Sequence, residues 1–166
     1  MILALCGSLR AVSSNRAALE ACALLAPVTI FDGIDRLPHF NPDLDRDPLP
    51  EKVAELRRLI GECDRLLISS PEYAHGMAGS LKNALDWLVS SVEFPETKVT
   101  LINTSPRASH AQAQLREVLT TMSADLAETV TLPLMGRSLG AAGIIADPEL
   151  SAILRAALPG SRELQP

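Results

Sequence analysis

At 166 residues, with a formal charge of −5 and a pI near 5.2, the chain has the length of one domain and enough material to bury a core. Its Lys and Arg are scattered, which excludes a polyanion partner such as nucleic acid, because phosphate-backbone affinity needs clustered cations. No apolar run approaches the roughly 20 residues of a membrane span, and the short apolar stretch at the N-terminus follows no basic region, so neither a membrane partner nor a secretory leader is expected. Cys6, Cys22 and Cys63 sit in apolar strand or helix patterns with no C-x-x-C pair. They are expected to be small buried hydrophobes in a protein of the reducing cytoplasm.

In chain order, strand-like runs alternate with stretches of i, i+3, i+4 periodicity. The pattern predicts strands at 2–6, 28–31, 65–69, 98–103 and 129–132, and helices at 14–25, 50–62, 79–91, 109–124 and 148–157. Pro50-Glu51 and Asp147-Pro148 have the order expected at helix starts. Regular β-α alternation with right-handed crossovers predicts an α/β fold: a three-layer sandwich around a five-stranded parallel sheet in the flavodoxin-like order 2-1-3-4-5. No linker or repeat interrupts the chain, so residues 1–166 are expected to form a single domain. Residues 35–50 are the one long loop, and loops of that length tend to be functional or interfacial.

Three strand-end turns carry the chemistry, because ligands of open α/β sheets bind at the carboxyl ends of strands. The first, Gly7-Ser8-Leu9-Arg10, leads into Ser13-Ser14-Asn15. Ser8, Ser13, Ser14 and Asn15 offer short donors, Arg10 offers a charged fork, and the following helix presents unpaired N–H groups, so a phosphate is expected there. Elsewhere such a cluster would simply cap a helix. The pattern is neither G-x-G-x-x-G nor G-x-x-x-x-G-K-[ST], which disfavours a dinucleotide or ATP loop.

The second turn, Pro71-Glu72-Tyr73-Ala74-His75-Gly76, suits a flat heterocycle: Pro71 stiffens it, Tyr73 is the only tyrosine, and Gly76 permits close backbone approach. His75 bonds the ligand or faces water or a second subunit, and Glu72 either contacts the ligand or accepts only local hydrogen bonds. The third turn, residues 104–109, offers Ser105 and Arg107 to the same crevice, with Ser109 as an alternative helix cap. The stripe Leu81, Leu85, Leu88 with Trp87 reads as core or as an oligomer-facing surface, and Lys82, Asn83 and Asp86 as a polar face.

These residues resemble the NAD(P)H-dependent FMN reductases, a flavodoxin-like family that includes chromate, quinone and azo-dye reductases. Gly7-Ser8-Leu9-Arg10 with Ser13-x-Asn15 is similar to the family's G-S-L-R-x-x-S-x-N phosphate loop. Residues 70–87 resemble its P-E-Y-N-x-x-x-P-G-x-L-K-N-A-I-D-W segment, and residues 37–44 its L-P-x-Y-N-x-D-L connection. Residues 107–116 are similar to the region where relatives carry a glycine-rich turn before R-A-Q-x-x-L-R. The chain departs from the pattern at Ala74, where the family has Asn, at Ala78, where it has Pro, and at Pro106-Arg107, which replaces paired glycines.

The resemblance implies bound FMN, NADPH or NADH as co-substrate, and a small-molecule electron acceptor such as free flavin, a quinone, an azo compound or chromate. It implies cofactor contacts from Ser8, Arg10, Ser13, Ser14, Asn15, Pro71, Glu72, Tyr73, Ala74, His75, Gly76, Ser105 and Arg107, with no catalytic side chain and no metal ligand. A homodimer or homotetramer is expected, with the 81–87 helix and the 37–44 loop at its interface. The competing class is a flavodoxin-type electron-transfer protein without a hydride donor site, but such proteins are more acidic and use a T-x-T-G-x-T loop. A phospho-acceptor signalling domain would need an acidic pair after the first strand, where Gly7-Ser8 stands.

Overall fold

The computed structural model describes residues 1–158; the last eight residues of the expected 1–166 domain lie outside the described residues. The strands are β1 (Ile2–Cys6), β2 (Val28–Ile30), β3 (Arg65–Ser69), β4 (Glu72–Tyr73), β5 (Gly76–Met77), β6 (Lys98–Asn103), β7 (Asp125–Leu126) and β8 (Val130–Thr131). The helices are α1 (Ser14–Leu25), α2 (Glu51–Glu62), α3 (Gly79–Asp86), α4 (Ser109–Thr121), α5 (Ala141–Ala146) and α6 (Pro148–Ala157).

The main sheet is parallel and runs β2-β1-β3-β6-β7, with β8 also on β6. This is the expected 2-1-3-4-5 order, except that the fifth strand is two short pieces. Lys98 and Val99 pair with β7, whereas Ile102 and Asn103 pair with β8, so residues 127–129 leave the ladder between them. Alternation along each central strand builds the two outer layers. Leu3, Leu5, Leu66 and Ile68 pack with Val53, Leu56, Leu81 and Leu115 from α2, α3 and α4. Ile2, Ala4, Cys6 and Leu67 face the other way onto Leu19, Ile144, Leu150 and Leu154 from α1, α5 and α6. A strand buried on both faces must be apolar throughout, which is why β1 and β3 read as continuous runs.

Helix α3 stops at Asp86, short of the expected residue 91, and the chain goes on in tight turns. Arg57 donates to the Trp87 carbonyl from Nε (3.0 Å) and Nη2 (2.7 Å), occupying the acceptor that a continuing helix would offer to Ser91. The apolar stripe does not face a second copy. Leu81, Leu85, Trp87 and Leu88 are each at most 1% exposed within this one chain, which removes the exposed apolar surface behind the expected interface. Asn83 is no solvated face either: its Nδ2 donates to the Pro38 carbonyl (3.0 Å) and its Oδ1 accepts the Phe40 N–H (2.7 Å), pinning the long loop to α3.

Asp45 closes that loop against Arg57, whose Nη2 lies 2.8 Å from the carboxylate, and both side chains are nearly nine-tenths buried. The Ser90 hydroxyl and then the Arg57 guanidinium hold the Asp45 carboxyl below its ordinary range. A folded-state pKa depressed in this way adds stability that is present above the unfolded value, about 4, and is lost as pH falls through the lower folded value. Arg57→Ala is expected to cost about 2–4 kcal/mol in urea unfolding at pH 7, since it leaves a largely buried carboxylate without its cation and with only the Ser90 hydroxyl as partner among the described residues. The variant should also flatten the loss of stability below pH 4, and an acid limb as steep as the parent's would refute the assignment.

The second turn folds as a hairpin not expected from periodicity. Glu72 pairs with Met77 and Tyr73 with Gly76, so Ala74 and His75 are the two central residues, at φ 49° and 61°. Two-residue hairpin turns of this hand favour Asn and Gly, and alanine in the left-handed region costs about 1 kcal/mol. Ala74→Asn is therefore expected to raise stability by about 0.5–1 kcal/mol, read from the urea midpoint. No gain would mean that the turn relaxes around alanine.

Candidate functional site

Above the carboxyl edge of β1, β3 and β6 lies a cleft of about 620 Å³ formed by four strand-end turns. The first is clamped in place: the Gly7 N–H donates to the Ser69 carbonyl (2.8 Å), and the Ser80 hydroxyl donates to the Gly7 carbonyl (2.9 Å). A Cβ on Gly7 would stand 2.6 Å from Ser70 Oγ, so only glycine lets the chain pass this close to the second turn.

Ser8, Arg10, Ser13, Ser14 and Asn15 all line the cleft. Their roles divide. Ser13 Oγ caps α1 by accepting the Arg16 N–H (3.3 Å), which leaves its hydroxyl proton free to donate. Asn15 is buried, and its Oδ1 accepts from Ser69 Oγ (2.8 Å) and Thr104 Oγ1 (3.3 Å), tying the first turn to the ends of β3 and β6. The exposed Arg10 guanidinium has no protein partner among the described residues, and it also lines a neighbouring cavity beside Asp32 and Asp35.

From the second turn Pro71, Glu72 and Tyr73 line the cleft, while Ala74, His75 and Gly76 do not. The hairpin carries those three away, and the His75 ring stacks on His110 with centroids 4.3 Å apart. Tyr73 is 55% exposed and is the one aromatic ring in the lining among the described residues. Glu72 faces inward: its Oε2 accepts the Ala111 N–H at 2.8 Å. It thereby caps α4, whose own N-cap residue, Ala108, has no side chain able to do so. Ser109, the alternative cap, is already inside the helix.

Ser105 and Arg107 line the cleft from the third turn, which Asn103 Oδ1 shapes by accepting the Ser105 N–H (3.1 Å). Sequence reasoning missed Ser70, Asn103 and Thr104, and the whole fourth turn, residues 134–138 after β8. Gly136-Arg137-Ser138 repeats the glycine, arginine and serine composition of the first turn just after a strand, a signal that could have found it. Arg137 Nη2 donates to Asp147 Oδ2 at 2.6 Å and draws that carboxyl below its usual range. Among the described residues, three arginines thus border the cleft, and the one lining carboxylate, Glu72, is engaged by the α4 cap.

The thiols stay out of this chemistry. Burial pushes the Cys22 thiol up to about 12 and raises Cys6 and the half-buried Cys63 as well, so all three are protonated at neutral pH. Among the described residues, no helix is long and apolar enough to cross a membrane.

Comparison with known proteins gives this arrangement its context. An NAD(P)H-dependent FMN reductase of Pseudomonas aeruginosa is 41% identical over 98 residues, which are 57% of this chain and 52% of that protein. A quinone reductase of Escherichia coli K12 is 31% identical over 133 residues, 74% of this chain and 71% of its own length. The solved structure of FerB, a flavoenzyme NAD(P)H:(acceptor) oxidoreductase from Paracoccus denitrificans, superposes with a TM-score of 0.73 at 28% identity, covering 94% of this chain and 91% of that one. The chain spans about half the length of several curated relatives it matches. Residues 1–134 match the family described as NADPH-dependent FMN reductase, and that stretch contains the first three of the four turns around the cleft. By this match, and by the sheet order and cleft position that accompany it, the chain belongs to the NADPH-dependent FMN reductase family.

Proposed function

We propose that residues 1–166 form a single FMN-binding domain that acts as an NAD(P)H oxidoreductase. It would move hydride from NADPH or NADH to a small acceptor such as free flavin, a quinone, an azo compound or chromate. The observation that carries this reading is the convergence of the family's two motif turns, Ser8 to Asn15 and Pro71 to Tyr73, on one cleft of about 620 Å³. When bound, FMN supplies the two-electron hydride chemistry that no side chain here offers.

The residues present fit that cofactor. The α1 N-terminus, the Ser8, Ser13 and Ser14 hydroxyls and Arg10, whose side chain has no partner among the described residues, suit a phosphate, while Gly7 gives the close backbone approach that a side chain would block. Pro71, Tyr73, Ser105 and Arg107 border the remaining space, where a ring can lie. Ala74, His75 and Gly76 would act through the hairpin that orients Tyr73, and Glu72 by fixing that hairpin to α4. A single aromatic ring at the lining leaves one ligand face open, as a hydride donor requires. The protein's part is to position ligands and supply a field, not to add an acid or a base.

The three free thiols fit a reducing cytoplasm, and a homodimer or homotetramer is proposed from the family resemblance alone. The protein is expected to turn yellow with FMN and to bleach on anaerobic addition of NADPH or NADH. No quenching of FMN fluorescence on titration would sink the reading. FMN uptake without bleaching would leave the electron-transfer class instead.

A further inference from the structure

The cleft carries more positive charge than a single phosphate requires. Arg10 stands on the first turn, Arg107 on the third and Arg137 on the fourth, in a protein whose net charge is −5. The family match ends at residue 134, so Arg137 lies just beyond it.

Arg137 is delivered by a braced arm. Leu134, 2% exposed, anchors the arm in the core, and its N–H reaches the Thr104 carbonyl at 3.3 Å. Gly136, at φ +78°, makes a left-handed turn that side chains disfavour, and the Arg137 N–H closes it onto the Leu134 carbonyl at 2.9 Å. The guanidinium is braced in turn. Its Nη2 bonds Asp147 Oδ2 at 2.6 Å, and the other oxygen of that carboxylate accepts the N–H groups of Glu149 and Leu150, both at 3.1 Å, capping α6.

The ion pair uses one edge of the fork. Nε and Nη1 have no protein partner among the described residues, and the side chain is 43% exposed at the cleft. An arginine held in this way loses less conformational freedom when an anion arrives, and its fork matches phosphate oxygens. Among the described residues Glu72 is the one carboxylate in the lining, and its Oε2 is turned to the Ala111 N–H at the α4 N-terminus.

We infer that Arg137, steadied by Asp147, is a phosphate-binding residue of the cleft that recognises a phosphomonoester dianion on a nucleotide ligand. Two sources share that chemistry: the 5′-phosphate of FMN and the 2′-phosphate that distinguishes NADPH from NADH. The inference rests on the flavin oxidoreductase reading above.

Calorimetric titration of the full chain separates the cases, with Arg137→Gln as the test variant and Arg137→Lys, which keeps the charge but not the fork, beside it. The Arg137 side chain is exposed, so melting temperature should hold. Apoprotein is titrated with FMN and with riboflavin; FMN-loaded protein is titrated with 2′,5′-ADP and with 5′-AMP. Arg137→Gln is expected to weaken the phosphate-bearing member of one pair ten- to a hundredfold while its partner changes less than twofold, with Arg137→Lys in between. Loss in the flavin pair assigns the 5′-phosphate, and loss in the adenosine pair assigns the 2′-phosphate. Equal affinities of variant and parent in both pairs, with FMN binding by the parent intact, would overturn the role of Arg137 alone. A parent that binds neither FMN nor 2′,5′-ADP would overturn the oxidoreductase reading as well.

Discussion

Trp87→Ala is expected to lower the unfolding free energy by about 3–5 kcal/mol, a large share of the roughly 5–15 kcal/mol that a domain has. The indole is fully buried, meets the Phe40 ring edge to face at 5.1 Å, and donates from Nε1 to the Pro38 carbonyl at 2.7 Å. Truncation leaves a cavity between α3 and the long loop. The Pro38 carbonyl itself is not orphaned, because Asn83 Nδ2 still reaches it at 3.0 Å. The cost is thus mainly lost packing, and Trp87→Phe, which keeps most of the apolar bulk, should lose no more than about half as much. Urea unfolding at two protein concentrations checks this: a stability drop below 1 kcal/mol, or a drop only in the concentration-dependent part, would return Trp87 to a subunit interface.

The second large effect belongs to Arg10. Its side chain has no protein partner among the described residues and is exposed at the cleft, so Arg10→Ala should leave stability within about 0.5 kcal/mol. Binding should respond instead. Loss of a charge-assisted bond to phosphate is worth roughly 1.5–3 kcal/mol, or about ten- to a hundredfold in FMN affinity, while riboflavin should lose almost nothing. Tyr73→Ala should weaken both ligands by a similar factor, because ring contacts are common to them. Equal losses of FMN and riboflavin in Arg10→Ala would show that the phosphate sits elsewhere, and Arg107 with Ser105 would be the next candidate.

The sequence by itself determined the layered α/β architecture, the sheet order and the place of three of the four turns around the cleft. These follow from local regularities. Period-two and period-3.6 patterns mark strands and helices, a run apolar on both faces marks a central strand, and a glycine-and-serine turn after such a run must fall at its carboxyl edge. Tertiary structure alone decided what the polar and apolar residues meet. The Leu81 stripe shows that a face is apolar, which one's own core satisfies as well as a second subunit does; the packing of Trp87 under Phe40 and Pro38 settles it. Glu72 read as a ligand contact or a local acceptor; it lines the cleft, and its one protein bond among the described residues is the cap of α4, 39 residues away. Asn15 lines the cleft, and only the fold shows that its Oδ1 joins Ser69 and Thr104, which lie 54 and 89 residues further along. Arg137 enters the cleft only because β8 pairs with β6 and brings the fourth turn beside the first three. Hydrogen bonds and buried contacts between residues distant in sequence depend on how the layers pack, and no local periodicity records that.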